Sequence, residues 1–195
     1  MKRLSEYHMG LLFGLAYGAF QALMSLAVHV GAGVDSNELT FYRGAAGFVF
    51  YLIPASRRIG AIAERSAWPL WLRTTASSLS ILCYYWTVQR TDIGIASSML
   101  NLAPVFVIVF SALFLTERVT GGELAAMGIA VASVTGLGAG IPTIVWIVGM
   151  GGCLLAAISF TSLRISAQKF SVGVVVWILS IFMMVTALKI GRAHV

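Results

Sequence analysis

Of 195 residues, 59% are hydrophobic and 10% are charged, with a formal charge of +6 and a mean hydropathy of +0.92. Soluble domains carry about 25% charged residues, so this chain cannot cover its apolar surface in water and a bilayer must be its solvent. The basic residues sit in short segments between apolar runs, which is the pattern that orients membrane helices and not a nucleic-acid footprint.

The chain starts with Met1-Lys2-Arg3, and residues 7–34 carry no formal charge. That run exceeds the roughly 7–15 apolar residues of a signal peptide, so the sequence predicts a first membrane span over residues 9–30. Tyr17, Gln21 and Ser25 recur at four-residue steps and form one polar stripe on it. Such a stripe either lines a pathway or makes interhelical hydrogen bonds. His8 and His29 stand at the two ends of this helix.

Asp35 and Glu38 form a short acidic loop ahead of a second span over residues 39–57. Arg43 lies within it, where an arginine costs at least about 2.5–3.5 kcal/mol at the bilayer centre. It is expected to face a cavity or partner, unless it is shallow enough to snorkel to the headgroups. A basic loop with Arg57, Arg58 and Arg65 leads to a third span over residues 72–89. Tyr84, Tyr85 and Trp86 toward its outer end read as an interfacial aromatic belt, with Tyr84 retained as a pathway candidate.

Between Asp92 and Glu117 lie 24 uncharged residues, enough to cross the roughly 30 Å hydrocarbon core as a fourth helix over residues 93–116. Ser97, Ser98 and Asn101 share about one turn, with Pro104 following. Proline deprives the carbonyl of Leu100 of its donor and bends the helix. A lipid-facing helix has little reason to hold such polar groups, whereas a cavity-lining one does. Thr120 and Glu123 have capping-box spacing, so a fifth helix over residues 121–137 follows in a tight hairpin.

Between Glu123 and Arg164 there are 40 uncharged residues, and Gly138-Ala139-Gly140-Ile141-Pro142 divides them. A sixth span is predicted over residues 143–163 and a seventh over 171–188. Ser159, Thr161 and Ser162 are further lining candidates on the sixth. With the N-terminus inside, the inner segments hold Lys2, Arg3, Arg57, Arg58, Arg65, Arg73, Arg118, Arg164 and Lys169. The outer side has only Arg90 and Arg43, so the charge rule places the N-terminus in the cytoplasm. Gly10-x-x-x-Gly14-x-x-x-Gly18 and Gly44-x-x-Gly47 permit close helix packing. Cys83 and Cys153 lie in apolar runs as small hydrophobes, and no disulfide is assigned.

The segment from Ala96 to Pro104, Leu115-Thr116-Glu117-Arg118 and Gly128 together resemble the EamA-type drug/metabolite transporter superfamily. Its repeat carries a small, polar segment, a mid-helix Pro-Val, a Leu-x-Glu-Arg helix end and a downstream glycine. The likeness extends over residues 9–189, although this chain has Tyr17-Gly18 where the family usually has Trp-Gly. The resemblance implies an all-α, polytopic bundle of ten helices in an inverted five-plus-five repeat, with a substrate site near the midplane. It also implies a role for Arg43 facing structure or substrate, and loop or gate contacts for Glu117 and Arg118, beside the plainer reading of helix termination. Residues 1–140 would be the first repeat and 141–189 the start of the second. Ile190-Gly191-Arg192-Ala193-His194-Val195 is the translation of ATC GGA AGA GCA CAC GTC, which looks like sequencing-adapter DNA, so the tail is expected to be a scar and the chain a fragment.

The expected function is secondary transport of small organic metabolites or drug-like solutes by alternating access across a bacterial inner membrane. The alternative is a non-transport polytopic scaffold or sensor subunit. No mid-depth carboxylate, nucleophile–base pair, metal-ligand spacing or P-loop appears, so no enzyme activity, metal or cofactor is expected. The expected partners are lipid and a small-molecule substrate, with no nucleic acid and with a homodimer left open.

Overall fold

The computed structural model describes residues 2–31, 33–56, 67–115, 119–137, 140–168 and 170–191. They form α1 (Lys2–Val30), α2 (Ser36–Ser56), α3 (Trp68–Val88), α4 (Ile93–Leu100), α5 (Ala103–Leu115), α6 (Gly121–Leu137), α7 (Thr143–Ser166) and α8 (Val172–Gly191), with no strand among them. The expected all-α class holds. Helix ends differ from the predicted spans by a few residues, because apolar runs mark the lipid-crossing part and helices continue past it. The last turn of α8 includes Ile190 and Gly191, while residues 192–195 lie outside the described set.

Among the described residues, four stretches are both long and apolar enough to cross a bilayer: Leu11–Val30, Ile93–Leu113, Thr143–Ser166 and Val172–Lys189. Helix α6 is apolar but shorter, at 17 residues. Helices α2 and α3 have the length, 21 residues each, but polar residues dilute them. In α3 the diluting groups Thr74, Ser78, Ser80 and Thr87 are all buried against neighbouring helices. A helix whose hydroxyls are covered by protein does not need a lipid-like composition throughout.

The predicted single fourth helix is two helices. The backbone amide of Asn101 bonds to Ser97 O at 2.9 Å, then Leu102 N–H reaches only back to Met99 O at 3.2 Å. The helical ladder lapses there, because Pro104 offers no N–H to the carbonyl of Leu100. Helix α5 restarts with Pro104 in its first turn, where the missing donor costs nothing. Helix α6 begins at the expected capping box: Thr120 N–H donates to Glu123 Oε2 at 2.7 Å, and Glu123 N–H to Thr120 Oγ1 at 3.4 Å.

Two helix pairs form the body of the molecule, α3 on α7 and α2 on α8, and α4 and α5 also pack on α7. Glycines set the closeness. A Cβ on Gly44 would meet Ser180 O of α8 at 2.8 Å, and one on Gly152 of α7 would meet Cys83 Cβ at 2.8 Å. Ser80 fastens α3 to α7 by donating to Gly152 O at 2.7 Å. Gly14 and Gly18 have nothing within 4 Å of the same position, so neither brings α1 against another described helix. Helix α1 joins the bundle through its C-terminal half, where Val28 is buried with Tyr84, Tyr85, Val88 and Ala96.

Candidate functional site

Helices α1, α3 and α4 meet along a polar seam. Ser25 donates its single hydroxyl proton to Gln21 O at 2.8 Å, which leaves its oxygen to accept. The Tyr84 hydroxyl, 2.6 Å away, must therefore be the donor to Ser25. Ser97 Oγ of α4 lies 3.3 Å from the Tyr84 oxygen and donates in turn. The chain thus runs from Ser97 to Tyr84 to Ser25 to the α1 backbone. Beside it, Arg43 of α2 donates to the Tyr85 hydroxyl at 3.1 Å and to the Met24 sulfur. Tyr85 passes its own proton toward Met24 Sδ at 3.5 Å.

This corrects the aromatic-belt reading of α3. Tyr84 and Tyr85 are 5% and 2% exposed, so they sit inside the bundle and not at a lipid interface. Trp86 is half-buried, and the guanidinium of Arg90 lies over its ring at 4.1 Å.

The other candidates divide. Tyr17 is exposed on α1 and within electrostatic range of Arg73, and Gln21 is half-buried. Ser98 is half-buried and spends its hydroxyl on Gly94 O at 2.7 Å within its own helix, outside the seam. Asn101 and Pro104 are exposed at the break between α4 and α5. Glu117 and Arg118 lie outside the described residues. On α7, Ser159, Thr161 and Ser162 are buried, and Thr161 bonds its own helix at Ala157 O, 2.9 Å away.

Arg73 is the residue that sequence reasoning missed, having counted it only as an orienting charge. It lies one turn inside α3, where Nη1 donates to Ser159 Oγ of α7 and the guanidinium faces the ring of Phe160 at 5.6 Å. Ser159 Oγ donates back to Arg73 O at 3.2 Å. The buried Nε finds no acceptor among the described residues. No local pattern separates such an arginine from one at a helix end.

Among the described residues, two clefts open at the end of the bundle that carries residues 33–35, 89–92 and 140–142. One, of about 500 Å³, is lined by Asp35, Ser36, Leu82, Cys83, Trp86 and Arg90. The other, of about 540 Å³, is lined by His29, Gln89, Arg90, Asp92, Ile95 and Pro142. Gln89 ties two of these loops together, donating to Val34 O at 2.8 Å and accepting from Ser36 Oγ at 2.5 Å. Deeper in, Tyr84, Thr87, Ala96, Leu100, Gly149 and Gly152 surround a gap with no room for a water molecule. The bundle is open at this end and sealed beneath it.

Several lipid-crossing helices, one of them broken beside an interhelical polar seam, define a multi-pass membrane protein. The sequence pattern of the EamA-like transporter family matches residues 8–139, and the chain belongs to that family. It is also 33% identical over 111 residues to the pseudopaline exporter CntI in two strains of Pseudomonas aeruginosa. That stretch is 56% of this chain and 38% of the relative, so the match spans well under half of the curated protein's length. No solved structure matches the chain.

Proposed function

We propose that the chain is part of a secondary transporter that exports a small organic solute by alternating access. The observation that carries this reading is the seam itself: three helices joined by Ser25, Tyr84 and Ser97, next to the break at Asn101 and Pro104. A broken helix leaves backbone carbonyls free at the depth where transporters of this construction place their sites. Hydrogen bonds between membrane helices average only about 0.6 kcal/mol, so the seam can part and reform as the bundle rocks. The family match and the exporter relative favour transport over catalysis and over a passive scaffold.

The proposed setting is a bacterial inner membrane with the N-terminus in the cytoplasm, which turns both clefts outward. A second, inverted repeat beginning at α7 would complete the pathway. Reconstituting the whole protein in liposomes and screening labelled amino acids, organic acids, nucleosides and cationic dyes tests the proposal. Saturable flux of one class is expected. Folded protein that moves none of them would overturn it.

A further inference from the structure

The acids whose side chains are described, Asp35, Glu38, Asp92 and Glu123, all lie in loops or in the first turn of helices. Arg43 and Arg73 lie inside α2 and α3, with no carboxylate facing either among the described residues. An arginine within a span is usually offset by an acid or a water-filled cavity. Here every observed partner is neutral: the Tyr85 hydroxyl and Met24 sulfur for Arg43, the Ser159 hydroxyl and Phe160 ring for Arg73. Dipoles orient a guanidinium without cancelling its charge, and in a low-dielectric bundle that charge is felt over long range.

Along α3 the two arginines stand apart, Arg43 beside the seam at Tyr85 and Arg73 near the start of the helix against α7. Arg73 precedes Tyr85 by 12 residues on one helix, a rise of about 18 Å at roughly 1.5 Å per residue. Tyr17 stands near the Arg73 end, and Ser25 and Met24 near the Arg43 end. We propose, building on the transport reading, that this seam takes a carboxylate-bearing organic anion, with Arg43 and Arg73 as its two charge stations. The planar guanidinium fork matches a carboxylate with two parallel hydrogen bonds. Arg43 is exposed in this conformation. Arg73 keeps its Nε edge unfilled but buried, so an anion reaches it only as α7 moves against α3. A cation meets two like charges along the same path and is excluded.

The test is calorimetric titration of the whole chain in phosphatidylcholine nanodiscs with citrate, its neutral trimethyl ester and spermidine. Citrate is expected to bind, and the ester and spermidine at least about tenfold more weakly. Arg43→Gln and Arg73→Gln are each expected to weaken citrate about tenfold or more, while Arg43→Lys and Arg73→Lys, which keep charge but lose the fork, cost less. Should Arg73→Gln not fold, its Lys variant and the Arg43 pair carry the comparison. Equal affinity for citrate and its ester, no citrate binding, or indifference to all four substitutions overturns the assignment. So does loss of citrate affinity on adding phosphatidylglycerol, which hands the arginines to lipid headgroups. In the liposome assay, saturable flux of a neutral or cationic solute unaffected by these substitutions removes the anion assignment and leaves transport standing. Absence of any flux removes both.

Discussion

The hydroxyls of Ser25 and Tyr84, 59 residues apart in the chain, meet at 2.6 Å and join α1 to α3. Because Ser25 has already given its proton to Gln21 O, the bond has a fixed direction, and phenylalanine at residue 84 would remove its donor. Tyr84→Phe and Ser25→Ala are each expected to lower unfolding free energy by about 0.6 kcal/mol, and by no more than about 1.7. The double variant is expected to lose less than the sum, since the two changes share the bond between Ser25 and Tyr84. Chemical denaturation in mixed micelles reads this, and strict additivity would show that the two hydroxyls act separately.

Gly44 and Gly14 make a matched pair of tests. A methyl at Gly44 runs into the backbone oxygen of Ser180 at 2.8 Å, which cannot rotate away, so Gly44→Ala should cost about 1–3 kcal/mol. The same change at Gly14 meets open space and should be neutral or stabilising by up to about 1 kcal/mol from helix propensity. The micelle assay decides, and equal effects would contradict the α2–α8 packing.

Pro104→Ala restores the N–H that the carbonyl of Leu100 lacks. Helices α4 and α5 are then expected to fuse, and amide exchange at residues 101–105 to slow by an order of magnitude or more as helical bonds form, since about 1.4 kcal/mol of added protection is tenfold. Unchanged exchange would place the origin of the break in packing around Asn101 and not in the proline.

The two cysteines differ in access. Cys83 is half-buried and lines the open cleft, whereas Cys153 is fully buried in the α7 core. A membrane-impermeant thiol reagent should label one site per native chain, at Cys83, and two after denaturation. Native labelling of Cys153 would contradict the close contact of α3 with α7.

The long apolar runs, the capping box at Thr120 and Glu123, and the disturbance at Pro104 were all legible in the sequence, because each depends on residues within one or two turns. The stripe of Tyr17, Gln21 and Ser25 was legible as a stripe, and Ser25 does reach across to another helix. Which partners such residues find was not legible. Tyr84 and Tyr85 near a helix end look like interface aromatics until α1 and α2 are seen to cover them. The glycine spacing on α1 is more regular than that on α2, yet Gly44 and Gly47 meet another helix while Gly14 and Gly18 meet none. Spacing says that two backbones can approach, and only the topology says whether they do. Arg73 was hidden for the same reason, since its distinction lies in Ser159 and Phe160, 86 and 87 residues later.

The central claim is that the seam between α1, α3 and α4 opens to water as the bundle rocks. In a background with Cys83 and Cys153 replaced, Ser97→Cys and Asn101→Cys in the whole protein in liposomes can be exposed to a membrane-impermeant thiol reagent. The account predicts that both react and that a transported solute slows the reaction at Ser97→Cys. Neither position reacting in folded protein, from either side of the membrane, would contradict it.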